Sequence, residues 1–363
     1  MYPVDMKRPN VLGYLTALFG LTVALHSPAS WADVIHLHLE TGISHQKVAV
    51  STSIVEWEEW PMKEVSRGVY AIDFEEPTLP SVEYKFVVDG DWMLDPSNPH
   101  KTPDGGGGYN SVIRIKNFRE DPLLSPSGAT PPYRVTHLRV KDSEGSNRTI
   151  TVMSPVNPIR ESVTVYFQDG NDYLEQTGAH WLLANLSTKR NMPSFVGVFI
   201  PPRDRMREYG MDPAYADFVA KTVVPLVEKK FPGTGGDREH RALIGPSLGG
   251  LITLYTALRH PDVFRNAASQ SGSLWFKEGE LVKLLGRPVK DQAKVLNLFM
   301  DVGTYEPEEM MTFNRQGFTA AKKAGHSVIY TEYPSTHDWM SWRNRLQETL
   351  RYFFEVRNKA HVR

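Results

Sequence analysis

The chain contains no cysteine among its 363 residues. That excludes a disulfide framework, a thiolate nucleophile, cysteine-ligated zinc and a lipid-modified N-terminal cysteine. It also lacks a dominant charge: 41 Lys and Arg stand against 42 Asp and Glu, for a net charge of −1. With no run of basic residues to track phosphates, nucleic acid is excluded as an expected partner. Long apolar runs are scarce too. The clearest, Val11–Leu25, follows Lys7 and Arg8 and precedes Ser30-Trp31-Ala32, with small residues where a signal peptidase cuts. It is short for a membrane span. Residues 1–32 therefore read as a signal peptide, with the mature chain starting near Asp33, periplasmic or secreted, and without stable membrane insertion after cleavage. No metal, nucleotide or flavin motif occurs, so no cofactor is expected.

What is present is an ordinary globular composition, 40% hydrophobic and 23% charged, in a chain long enough for two domains. Residues 33–117 read as a small all-β sandwich. Its strands are Lys47–Ser51, Val69–Phe74, Glu83–Val88 and Val112–Ile115, with a hairpin signal at Asp89-Gly90-Asp91. Residues 118–133 carry Pro122, Pro126, Pro131 and Pro132 and read as a linker. Residues 134–363 alternate apolar strands with helical stripes, the pattern of an α/β domain with a mostly parallel sheet covered on both faces. Strands are expected at Thr151–Met153, Val163–Phe167, Phe195–Ile200, Ala242–Ile244, Val295–Met300 and Val328–Tyr330. One helix carries Val219, Val223, Leu226 and Val227, with Pro225 expected to kink it.

The most informative stretch is Gly245-Pro246-Ser247-Leu248-Gly249, preceded by a strand-like run and followed by a helix-like one. That is the context of a nucleophile elbow, in which a sharp turn lifts the serine hydroxyl to the top of a sheet. A serine attacks esters only when a base takes its proton and an acid orients that base, and in an α/β-hydrolase these follow in the order serine, acid, histidine. Of the 12 histidines, His337 lies downstream on a loop after a late strand and before the last helix. For the acid, Glu306 on the loop beyond Gly303-Thr304-Tyr305 is preferred for its reach, with Asp301 at the strand tip as runner-up. Asp338 is expected to cap the last helix. The oxyanion amides are expected from Leu248 and from Gly170 or Asn171.

Several further motifs then line up in order. They are "DGNDYL" at Asp169–Leu174, "RMREYG" at Arg205–Gly210, "GPSLGG" at Gly245–Gly250, "SQSGSLWF" at Ser269–Phe276, "DVGTYEPEEM" at Asp301–Met310 and "HDWMSWR" at His337–Arg343. Through them the region from Val163 to Phe354 resembles the esterase D and enterochelin esterase group of serine esterases. The resemblance implies an α/β-hydrolase fold, Ser247 as nucleophile, His337 as base and Glu306 as acid. Where many relatives carry a glycine pair before the histidine, this chain has Ser335-Thr336.

The stretch from Trp57 to Ile115, with "YKFVVDGDWMLDPSNP" at Tyr84–Pro99, resembles the early-set, immunoglobulin-like glycogen-binding module of AMP-activated kinase beta subunits. That resemblance implies sugar contacts at Trp60, Lys85, Trp92 and Asn110. The other role open to the sandwich is only to shape the active site. The expected protein is thus an exported serine carboxylesterase acting on a carbohydrate-linked feruloyl or acetyl ester or on a catecholate siderophore ester. Arg203, Arg205, Arg207, Lys277 and Arg343 are the cations that could serve the latter. The alternatives are an acyltransferase of the mycolyltransferase type and a carbohydrate-binding protein with an inactive esterase domain.

Overall fold

The computed structural model describes residues 33–104, 108–115, 121–142, 144–156, 162–234 and 236–356. The expected signal peptide and part of the expected linker lie outside these. An eight-stranded sheet is formed by β1 (Tyr133–Lys141), β2 (Asn147–Pro155), β3 (Ser162–Gln168), β4 (Ser194–Ile200), β5 (Arg241–Pro246), β6 (Asn266–Gln270), β7 (Asn297–Gly303) and β8 (Ser327–Tyr333). Its order is β1-β2-β4-β3-β5-β6-β7-β8. Pairing is antiparallel from β1 to β4 and parallel from β4 to β8.

Burial explains the apolar runs. Every residue of β3, β4, β5 and β6 is buried, because helices cover both faces and side chains alternate between them. Leu243 on β5 joins one core with Leu251 and Leu254, and its neighbour Ile244 joins the other with Leu346 and Leu350 of the last helix.

Three features add to the expectations. Strands β1 and β6 were not anticipated. The former is an edge strand with polar residues facing out, and the latter is the small-residue run Asn266-Ala267-Ala268-Ser269-Gln270. The described part of the proline-rich linker packs on the neighbouring helix: Leu124 is buried, and Asn185 Nδ2 donates to the carbonyls of Leu123 and Ser125, both at 2.9 Å. Pro225 lies just past a change of helix type. The segment runs from Pro213–Phe218 through a π turn at Val219–Val223 into Val224–Lys230, where the wide turn accommodates the missing donor.

In front of this sheet lie two antiparallel sheets. One orders Val34–Glu40, Val69–Glu75 and Lys63–Ser66. The other orders Glu59–Pro61, Val48–Thr52, Ser81–Val88, Tyr109–Arg114 and Lys101–Pro103, with Asp91–Met93 paired to Ser81–Val88. They share a core of Leu37, Leu39, Val50, Val82, Tyr84 and Phe86, against which Tyr305 of the rear region also packs.

Candidate active site

Because β5, β7 and β8 run parallel, the loops leaving their carboxyl ends open on one edge of the sheet. Ser247 follows β5, Glu306 follows β7 and His337 follows β8. Ser247 sits at φ 55°, ψ −124°, a conformation that costs a non-glycine residue on the order of 1–3 kcal/mol. Hydrogen bonds hold it there: its amide donates to the Gln270 carbonyl at 2.8 Å, and the Ser273 amide donates to the Ser247 carbonyl at 3.0 Å. The flanking glycines are sterically required. A Cβ on Gly245 would lie 2.3 Å from the Gly249 carbonyl oxygen, and one on Gly249 would lie 2.8 Å from Asp169 Oδ2. The helix Leu248–Arg259 starts immediately after the serine, so its first amides have no intrahelical acceptor and its dipole points at the hydroxyl.

His337 Nδ1 is 2.8 Å from Glu306 Oε2, with the glutamate side chain fully enclosed and the ring about one-third exposed. The other carboxylate oxygen, Oε1, accepts from Ser271 Oγ at 2.5 Å and from the Gly303 amide at 2.8 Å. Trp342 Nε1 donates to Ser271 Oγ at 3.0 Å, and the Trp342 ring meets the imidazole edge to face at 5.1 Å. The segment Ser271-Gly272-Ser273 thus joins both ends of the site, since Ser273 Oγ lies 3.2 Å from Ser247 Oγ. None of these supports was identified residue by residue in the sequence, although the motif Ser269–Phe276 contains both serines.

The runner-up acid is placed elsewhere. Asp301 is fully buried on β7, neither carboxyl oxygen finds a well-aligned partner, and burial pushes its pKa up to about 8 with Glu306 adding to the rise. Asp338 accepts from the Ser341 amide at 2.8 Å and caps the last helix. Gly170 opens the helix Gly170–Gln176 after β3. Its backbone is pressed against Phe199 and Ile200, where a Cβ would be 2.2 Å from the Ile200 nitrogen, and Asn171 beside it is exposed. The preceding Asp169 is held by Arg205 at 2.8 and 3.0 Å. Among the described residues no group of three or more His, Asp or Glu is placed to hold a metal, and no helix is long and apolar enough to cross a membrane.

Two cavities share His337 and Trp57. One, of 370 Å³, is lined by Glu83, Lys85, Trp92 and Asn110 of the front sheet and by Asp338, Trp339 and Trp342. The other, of 380 Å³, is lined by Trp275, Tyr305, Pro307 and Met310 together with Glu306. Trp60 lines neither, which corrects the expected aromatic pair. Register decides it: Trp60 pairs with Val50, which pairs with Phe86, so all three face the core, and Trp60 packs on Phe74 at 5.6 Å. Trp57 takes its place, 6.4 Å from Trp92.

Ser247, Glu306 and His337 thus follow three strands at one edge of an eight-stranded sheet, in a fold of the α/β-hydrolase type. Residues 142–353 match the family described as "Putative esterase", more than half of the chain, and the chain belongs to that family as a carboxylic ester hydrolase. It is similar to the Iron(III) enterobactin esterase of Escherichia coli O6:H1 (strain CFT073), 26% identical over 269 residues that cover 71% of this chain and 66% of that protein. The ferric enterobactin esterase of Salmonella typhimurium has the same fold, with a TM-score of 0.76 over 88% of this chain and 93% of that one, at 18% identity. A ferulic acid esterase matches with a TM-score of 0.52 over 61% of this chain and 98% of its own, at 20% identity.

Proposed function

We propose that the chain is an exported serine esterase in which Ser247, His337 and Glu306 form a catalytic triad. The observation that carries this reading is the 2.8 Å contact between His337 Nδ1 and Glu306 Oε2. With the other carboxylate oxygen bonded twice, the glutamate cannot swing away, so it fixes the tautomer that leaves Nε2 free to accept a proton. Ser247 Oγ adds to the ester carbonyl while its proton passes to His337. The bond to the alcohol then breaks, and the imidazolium protonates the leaving alkoxide. Water repeats the sequence on the acyl-enzyme and releases the acid. The Leu248 amide, with that of Gly170 or Asn171, holds the oxyanion.

The names of the relatives point to siderophore esters or ferulic esters as substrates. Lys7, Arg8 and the apolar segment after them carry the proposal of export to the periplasm or beyond. We read residues 33–117 as an early-set sandwich, 118–133 as the connection and 134–363 as the hydrolase domain. Labelling with a fluorophosphonate probe followed by peptide mass mapping tests the reading. The label is expected on Ser247 alone and absent after Ser247→Ala; a label elsewhere, or none, overturns it.

A further inference from the structure

The front six-stranded sheet turns one face to its own core and the other to His337. Strand Ser81–Val88 places Tyr84 and Phe86 inward and Glu83 and Lys85 outward. Pairing carries the outward face across the sheet: Trp92 stands opposite Val87, and Val112, next but one to Asn110, stands opposite Glu83. The outcome is a polar floor beneath an aromatic rim. Asn110 Nδ2 donates to Glu83 Oε2 at 2.7 Å, and both residues are buried. Lys85 Nζ meets Asp104 Oδ2 at 2.9 Å. Above them Trp92 is 49% exposed, its ring 6.4 Å from that of Trp57.

We propose that this cavity binds the alcohol half of the ester, and that this alcohol is a neutral polyol, a sugar unit esterified through one of its hydroxyls. The proposal rests on the triad reading above, which makes His337 the group that protonates the departing alcohol. Charge argues for a neutral guest. The wall offers no surplus cation, since its one lysine, Lys85, is already paired with Asp104. An iron-bound catecholate would bring several negative charges and would need a surplus of cations. Of the five considered for that role, Arg203 pairs with Asp142, Arg205 with Asp169 and Arg207 with Glu144. Lys277 Nζ donates to the Gly210 carbonyl at 3.0 Å. None of the five, Arg343 included, lines either cavity.

Chemistry argues for hydroxyls. Burial, reinforced by Asp338, pushes the Glu83 pKa up to about 8, so near neutral pH it is mostly a carboxylic acid able both to donate and to accept. Asn110 adds an amide, and Trp57 and Trp92 offer flat faces for the C–H side of a pyranose or furanose ring. The more apolar second cavity, with Trp275, Tyr305 and Met310, is then left for the acyl group.

The test compares kcat/KM for ferulate and acetate esters of arabinose or xylose with their methyl esters, and with an iron-bound catecholate trilactone. The sugar esters are expected to be preferred over the methyl esters by tenfold or more. Trp92→Ala, at an exposed site, should bring that ratio close to one, and Glu83→Gln should lower it several-fold; thermal melts check that both variants fold. Equal rates on sugar and methyl esters, a ratio untouched by Trp92→Ala, or a trilactone hydrolysed faster than any sugar ester would overturn the proposal. Loss of fluorophosphonate labelling in the wild type would instead overturn the triad on which it rests.

Discussion

The carboxyl edge of the rear parallel sheet and the outer face of the front antiparallel sheet meet at His337, and they are built in opposite ways. At the rear, each polar group that could touch the reacting atoms is tied down. Ser247 is held by backbone bonds on both sides, and Glu306 by Ser271, Gly303 and His337. At the front, alternate residues of antiparallel strands present a lysine, a carboxyl, an amide and tryptophans over a broad wall, one of the tryptophans half exposed. Attack on a carbonyl depends on angles and fractions of an ångström, which only a supported side chain supplies. Recognition of an alcohol tolerates more breadth. Changes at the rear should therefore abolish turnover, whereas changes at the front should alter which ester is turned over.

The sharpest break in that comparison is Ser247→Ala. Hydrolysis of a short p-nitrophenyl ester is expected to fall by roughly 10⁴- to 10⁶-fold with an unchanged melting profile. A residual rate within a hundredfold of wild type would mean that the rear edge is not where the chemistry occurs.

Next comes Glu306→Gln, expected to cost roughly 10³- to 10⁴-fold in kcat. The amide nitrogen would face either the imidazole Nδ1 or the two donors from Ser271 and Gly303, favouring the wrong tautomer or losing the clamp. A loss smaller than that of Asp301→Asn, measured side by side, would transfer the acid role to the strand.

Much of the rear was legible because its signals are local. The elbow lies between two apolar runs, and the order serine, acid, histidine follows from strand order along the sheet. Glu306 could be preferred over Asp301 because a loop past a strand end reaches an imidazole that an in-strand side chain does not. Strand β6 escaped notice because Asn266-Ala267-Ala268-Ser269-Gln270 has no β-branched or aromatic residue. It is a strand because of its place in the middle of the sheet, a tertiary effect. The front was harder. Trp60 and Trp57 are three residues apart, and which one faces the core is decided by pairing register with Val50. A one-residue slip would invert every side chain, and no local pattern determines the register. Ser271 and Trp342, linked by a hydrogen bond across seventy-one positions, belong to the same class of long-range contact.

Trp57 lines both cavities and belongs to the front region, so it probes the front. Trp57→Ala is expected to lower kcat/KM on a bulky ester by about tenfold, mostly through KM, since a lost ring contact of about 1.4 kcal/mol affects ground and transition states alike. A drop confined to kcat would show that the front wall positions the histidine rather than the substrate.

The smallest expected effect on activity, and the most specific signature, belongs to Asp301. Its folded pKa, raised to about 8 by burial, lies far above the ordinary aspartate value, so between the two the folded chain keeps a proton that the unfolded chain has released. Stability linked to this group is complete below the unfolded pKa and is lost as pH rises through about 8. The slope is at most about 1.4 kcal/mol per pH unit. Asn carries no proton to lose, so Asp301→Asn should leave turnover within about threefold, the size expected away from reacting atoms, while flattening the decline of the melting temperature between acid and alkaline pH. Glu83 has a raised pKa as well and is unchanged in both proteins, so the difference between the two curves isolates Asp301. Parallel curves would mean that Asp301 is charged in the fold, with a pKa near that of the unfolded chain.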